Sequence, residues 1–138
     1  MYLNTHSCYS LRYGLIKPEE LLELAVEKGY KRIALTDINN TSGCLNFVRL
    51  APRYGIKPIV GIDFRHGIKQ LYVAIAQDNL GFEEMNTYLS GYLNQQDIPI
   101  PKEPPQWQHC YVIYPLDNIP QRASVSYTHL TLPTIYSV

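Results

Sequence analysis

The run Asn4-Thr5-His6-Ser7-Cys8-Tyr9-Ser10, entered from the short apolar stretch Met1-Tyr2-Leu3, decides how the rest of the chain reads. In an extended strand, residues two apart share a face, so Asn4 and His6 lie side by side and lead at once into a polar turn. A His-x-His metal site has this shape. Here the first of its two positions carries an amide, whose neutral carbonyl oxygen is a poor ligand beside an imidazole.

Downstream of this run, Leu11-Arg12-Tyr13-Gly14 reads as a loop, and Pro18 to Lys28 reads as a helix. Pro18 suits the first turn, Glu19, Glu20 and Glu23 suit its positive end, and Lys28-Gly29 supplies the stop. Leu21, Leu22, Leu24 and Ala25 form an apolar stripe for the face of a sheet. The next run, Lys31 to Asp37, is short, largely apolar and closes on a carboxylate. Strand, helix and strand within this span predict a βαβ unit with parallel strands and a right-handed crossover. Both strands then finish at one edge, which brings the loop of Ser7 to Ser10 close to Asp37.

Asn39-Asn40-Thr41-Ser42 is turn chemistry that offers an N-cap, and a second helix begins through Leu45, Val48 and Leu50 before Pro52 and Gly55 end it. Ile56 to Phe64 is a third strand, with Asp63 near its end. Arg65-His66-Gly67 then turns the chain into an antiparallel return strand, Ile68 to Ala76. Asp78-Asn79 caps a third helix carrying Phe82, Met85, Leu89, Tyr92 and Leu93 at helical spacing. The organisation expected is therefore a packed unit over 1–93, a proline-rich linker or loop over 94–106, and a further strand and loop over 107–123, with Trp107 to Tyr114 as the strand. The remaining stretch, 124–138, is uncharged and without helical period, and Val125-Ser126-Tyr127-Thr128-His129-Leu130 looks like the conceptual translation of a sequencing-library adapter. It is set aside from the fold for that reason.

Composition narrows the function classes. With 12 basic and 12 acidic residues in 138, and no basic run, the chain has no electrostatic footprint of its own for a nucleic-acid backbone. No stretch approaches the roughly 20 apolar residues of a membrane span, and the N-terminus has no signal-peptide pattern, so the expected location is cytoplasmic. Cys8, Cys44 and Cys110 are odd in number and fit no C-x-x-C spacing, which speaks for reduced thiols over a disulfide framework or zinc knuckle.

Three elements thus end in Asn4 and His6, Asp37 and Asp63. One imidazole and two carboxylates form a reasonable ligand set for zinc or manganese, and such ions would activate a water in a phosphoesterase. Each residue also has a plainer reading: His6 as a hydrogen-bonding member of the strand-end network, Asp37 as a loop cap, Asp63 as a solvated strand-end carboxylate. His66 is expected to face solvent, and His109, Cys44 and Cys110 to be packing residues.

Together the three motifs resemble the polymerase and histidinol phosphatase (PHP) family. Asn4 to Ser10 matches H-x-H-S-x-Y-S in all but its first position, Ala34-Leu35-Thr36-Asp37-Ile38 matches A-L-T-D-H without its histidine, and Gly55 to Gly61 with Asp63 matches G-I-K-P-I-x-G and its following acid. Their order and wording are most similar to the branch at the N-terminus of bacterial replicative DNA polymerase III alpha subunits, a choice strengthened by Asn39, Gly43 and Phe47. The resemblance implies an α/β fold, the first half only of a distorted (β/α)7 barrel. It implies a vestigial metal site at His6, Asp37 and Asp63, with Asn4 and Ile38 as degenerate ligand positions, and residual zinc or manganese there at most. Polymerisation in the parent would use magnesium in a palm domain absent from this stretch, so the fragment alone is expected to be inactive. Its implied partners are the parent's palm and thumb domains and a proofreading exonuclease, with DNA reached only through the parent. A metal-dependent phosphoesterase or 3'-5' exonuclease-type hydrolase, and a purely structural interaction module, are the competing readings.

Overall fold

A computed structural model describes residues 3–10, 14–95 and 98–119. The expected tail over 124–138, the residues Met1 and Tyr2, and most of the loop before Gly14 lie outside these. Helix α1 (Pro18–Glu27) starts with Pro18 in its first turn, and the Glu20 carboxylate accepts from the Lys17 backbone amide at 3.3 Å. It stops at Gly29, whose φ of 77° is a left-handed conformation that a side chain would strain. Leu21, Leu22 and Ala25 are buried, while Leu24, which the apolar stripe included, lies on the solvent side.

Strand β1 (Arg32–Ile38) runs parallel to β2 (Lys57–His66), the crossover being α2 (Cys44–Leu50) and a 3-10 turn (Ala51–Tyr54). Strand β3 (Lys69–Ala76) returns antiparallel to β2, and β4 (Cys110–Ile113) adds antiparallel to β3, giving one sheet in the order β1-β2-β3-β4. Helix α3 (Asn79–Leu93) lies between the last two, capped as expected by Asp78, whose side chain accepts from Gly81 N. Strand β4 is shorter than the Trp107 to Tyr114 run.

The opening strand is not found among the described residues. Leu3 to Ser10 carry no strand, because the partners that a ladder would need are taken by side chains. Thr5 N donates to Thr36 Oγ1 at 3.2 Å, and Thr5 Oγ1 donates to Ala34 O; among the described residues, Thr36 N to Thr5 O, at 2.9 Å, is the one backbone pair between this segment and β1. The segment lies along β1 without joining the sheet.

Strand alternation sorts the core. Ile33, Leu35 and Val60 pack with Leu21, Leu22, Ala25 and Phe47 of the helices, and Ile62, Phe64, Tyr72 and Ala74 pack with Met85 and Leu89 of α3. The intervening residues, Ala34, Ile59, Val73 and Ile75, form a separate cluster with Leu3. A bulge breaks the alternation at one place: Phe64 pairs with Tyr72 but Arg65 pairs with Gln70, leaving Leu71 as the extra residue. It turns Gln70 onto the face shared by Asp63 and Arg65.

Candidate functional site

The residues expected at the strand ends separate into two groups. In the parallel register Asp37 lies opposite Ile62, while Ile38 lies opposite Asp63. Because side chains alternate, Asp37 belongs to the face of Ile33 and Leu35, and Asp63 to the face of Ala34 and Ile59. Asp37 and Asp63 are neighbours in register but not on one face.

On the first face, Asp37 is wholly buried and its oxygens are taken. Oδ1 accepts from Ser7 N at 2.6 Å and Ser10 Oγ at 2.7 Å, and Oδ2 accepts from Ser7 Oγ at 2.6 Å. Ser10 Oγ in turn accepts from Ile38 N at 2.9 Å. The carboxylate therefore ties the loop of Ser7 to Ser10 back onto β1. It does not cap the loop before α2, the other role expected of it; that helix has Gly43 at its N-cap and no side-chain cap. A Cβ at Gly43 would meet the Tyr9 ring at 2.9 Å, so glycine is needed where this loop and α2 converge. The nearby Cys44 thiol is pushed up to about 12, first by burial and then by the Asp37 charge.

The second face holds His6 and Asp63. Asp63 is fully buried inside β2, which corrects the expectation of a solvated strand-end carboxylate; β2 continues to His66. Its Oδ2 accepts from His6 Nε2 at 2.9 Å, from Arg65 Nη2 at 2.9 Å and Nε at 3.2 Å, and from Gln70 Nε2 at 3.1 Å. Since a carboxylate oxygen only accepts, His6 Nε2 is the donor of this bond. Asp63 Oδ1 is buried and has no hydrogen-bond partner among the described residues.

Asn4 is buried too, but its Oδ1 accepts from Thr36 Oγ1 at 2.8 Å. The Ile38 side chain offers no ligand atom at the β1 position opposite Asp63. Among the described residues no group of three or more His, Cys, Asp or Glu side chains converges to hold a metal ion. The donor chemistry agrees: His6 Nε2 is spent on Asp63, the Asp37 oxygens on serine donors, and a guanidinium stands against Asp63 Oδ2. As arranged, these residues do not fit a divalent metal cluster.

Arg65 and Gln70 were not singled out from sequence. Arg65 was read as part of the turn after Asp63; once β2 runs on to His66, it lies two residues beyond Asp63 in the strand and shares its face. Gln70 had no legible signal, because the bulge that presents it is a property of strand pairing. His66 is exposed, as expected. His109 is not a packing residue: it lies partly exposed, with Nδ1 at 2.9 Å from Asp78 Oδ2. Cys44 and Cys110 are buried as expected, while Cys8 is half-buried.

Comparison with known proteins adds the following. A family model described as PHP domain matches residues 3–118. Curated relatives named DNA polymerase III subunit alpha include one from Buchnera aphidicola subsp. Schizaphis graminum, 34% identical over 114 residues, covering 75% of this chain and 10% of that protein. Another, from Escherichia coli K12, is 32% identical over 96 residues, covering 65% of this chain and 8% of that protein. The chain thus spans about a tenth of the length of these relatives. Among solved structures, an amidohydrolase from Chromobacterium violaceum superposes with a TM-score of 0.50 at 24% identity, covering 67% of this chain and 34% of that one. A protein described as a metal-dependent phosphoesterase from Bifidobacterium adolescentis gives 0.52 at 18% identity, covering 72% and 40%. At such identities the likeness speaks for the fold alone.

Proposed function

This chain belongs to the PHP family, and we propose that it is the N-terminal PHP region of a replicative DNA polymerase III alpha subunit, serving as scaffold and not as hydrolase. The observation that carries the reading is the occupation of the former ligand positions by neighbouring side chains. His6 and Arg65 meet on Asp63, Asp37 is bound to Ser7 and Ser10, and Asn4 is bound to Thr36. Side chains occupied in this way hold a fold together and offer no activated water.

In this reading the chain supplies the first part of a distorted (β/α)7 barrel, docks against the palm and thumb of the longer protein, and offers a surface to a proofreading exonuclease. DNA and magnesium are engaged by the palm, not by these residues, and the assembly works in the cytoplasm. The similarity to curated alpha subunits and the three motifs in order support this. No helix among the described residues is long and apolar enough to cross a membrane.

Two measurements test it. The gene downstream of the Arg122 codon is expected to encode a polymerase palm with its paired aspartates, and a stop codon there defeats the identification. The purified chain is expected to hydrolyse a model phosphomonoester with added Mn2+ no faster than buffer does. The competing phosphoesterase reading draws on one observation, the buried Asp63 Oδ1 without a hydrogen-bond partner among the described residues, and requires Mn2+-dependent turnover that is lost in His6→Ala.

A further inference from the structure

We infer that Arg65 is a built-in cation for Asp63, taking over the charge-neutralising role of a metal at this carboxylate and keeping divalent ions out. The inference deepens the scaffold reading of the site and rests on it. Four features of the fold carry the argument. First, Asp63 is a wholly buried carboxylate, which is costly without an opposite charge, and the Arg65 guanidinium reaches its Oδ2 through both Nη2 and Nε at 2.9 and 3.2 Å. Second, Arg65 is itself mostly enclosed, its side chain 13% exposed, and a guanidinium keeps its charge at any accessible pH. Whatever becomes of the His6 N–H on the same oxygen, an entering ion must also displace a fixed positive charge.

Third, the backbone of Arg65 is clamped from both sides. Asn39 Oδ1 accepts from Arg65 N and Asn39 Nδ2 donates to Arg65 O, each at 2.9 Å. Asn39 itself sits at a φ of 49°, a conformation that asparagine tolerates better than most residues. Fourth, the bulge at Leu71 turns Gln70 onto this face, where its Nε2 supplies a further donor to Asp63 Oδ2 at 3.1 Å. Together with His6 on the same oxygen, the donors concentrate on Oδ2, while Oδ1 has no hydrogen-bond partner among the described residues. A carboxylate so held is arranged to face a cation on one oxygen. Ile38, opposite Asp63 in register, adds no ligand that could compensate a metal for the repulsion of Arg65.

The test compares the full 138-residue chain with Arg65→Gln, Arg65→Lys and the double variant Asp63→Asn/Arg65→Gln. Zn2+ and Mn2+ are the probes, read by metal bound at equilibrium dialysis and by the midpoint of thermal unfolding. The parent chain is expected to show a midpoint that neither metal moves. Arg65→Gln is expected to melt lower, to be raised by metal, and to bind one ion on the order of 100-fold more tightly than the parent chain. The double variant, neutral at both positions, recovers part of the midpoint and does not respond to metal, and Arg65→Lys stays insensitive because the charge is retained. Metal bound by the parent chain as tightly as by Arg65→Gln overturns the inference. So do an Arg65→Gln chain that is as stable as its parent and blind to metal, a lysine variant that responds like the glutamine one, and metal uptake that persists in the double variant. If Arg65→Gln yields no folded protein, a folded double variant supports the inference and an unfolded one overturns it. Failure of the scaffold reading is separately visible as Mn2+-dependent hydrolysis by the parent chain, and a stop codon after Arg122 would leave both measurements on all four chains unchanged.

Discussion

Asp37 and Asp63 are both wholly buried, stand one register step apart on adjacent parallel strands, and are neutralised in opposite ways. Asp37 is held by neutral dipoles: one backbone amide and two hydroxyl groups reach its two oxygens within 2.7 Å. Asp63 is held by a full positive charge, with His6 and Gln70 beside it, all on a single oxygen. A carboxylate served by dipoles stabilises whatever carries the donors, here the loop of Ser7 to Ser10. One served by an arginine stabilises a charge balance, and the supporting donors are individually dispensable.

That contrast can be broken most directly at Asp37. Replacing it with alanine leaves Ser7 N, Ser7 Oγ and Ser10 Oγ buried without an acceptor, so Asp37→Ala is expected to cost on the order of 3 to 5 kcal/mol in urea unfolding. His6→Ala removes one donor among several to Asp63 Oδ2, and the same measurement should register about 1 kcal/mol or less. If the two variants cost the same, the division into a dipole-held and a charge-held carboxylate is wrong. The smallest effect concerns Cys44, which lies on the Asp37 side and whose thiol is pushed up to about 12. A thiol raised above its ordinary value of 9.0 contributes stability that is whole below that pH and is lost as pH climbs toward 12. Unfolding measured across that window should therefore show a shallower loss in Cys44→Ala. In Asp37→Asn the onset of thiolate labelling at Cys44 should move down only part of the way, since burial is the larger cause.

Several of these arrangements were legible in the chain itself. Pro18, the acidic first turn and Gly29 fixed α1, Asp78 fixed the start of α3, and the runs ending in Asp37 and Asp63 fixed two parallel strands. The motif wording pointed to the PHP family that the residues 3–118 match. Other features could not be read locally. The opening run looked like a strand because its apolar start and polar finish suit one. Thr5 and Thr36 instead exchange bonds that involve side chains, a competition settled only when the two segments meet. Asp63 looked like a strand end because the Arg65-His66-Gly67 turn follows so closely, yet β2 holds its pairing through His66 and carries the carboxylate inside.

By itself, then, the sequence determined the order and type of most elements and the wording of the motifs that point to the family, with Asn4 and Ile38 standing where those motifs carry histidine. Those follow from residue type and short-range spacing, which act within a few residues. Tertiary structure alone decided that the carboxylates part to opposite faces, that serines satisfy one and an arginine the other, and that a bulge at Leu71 delivers Gln70. Strand register and bulges depend on the pairing of segments distant in sequence. A buried carboxylate takes whichever donors that pairing brings within about 3 Å.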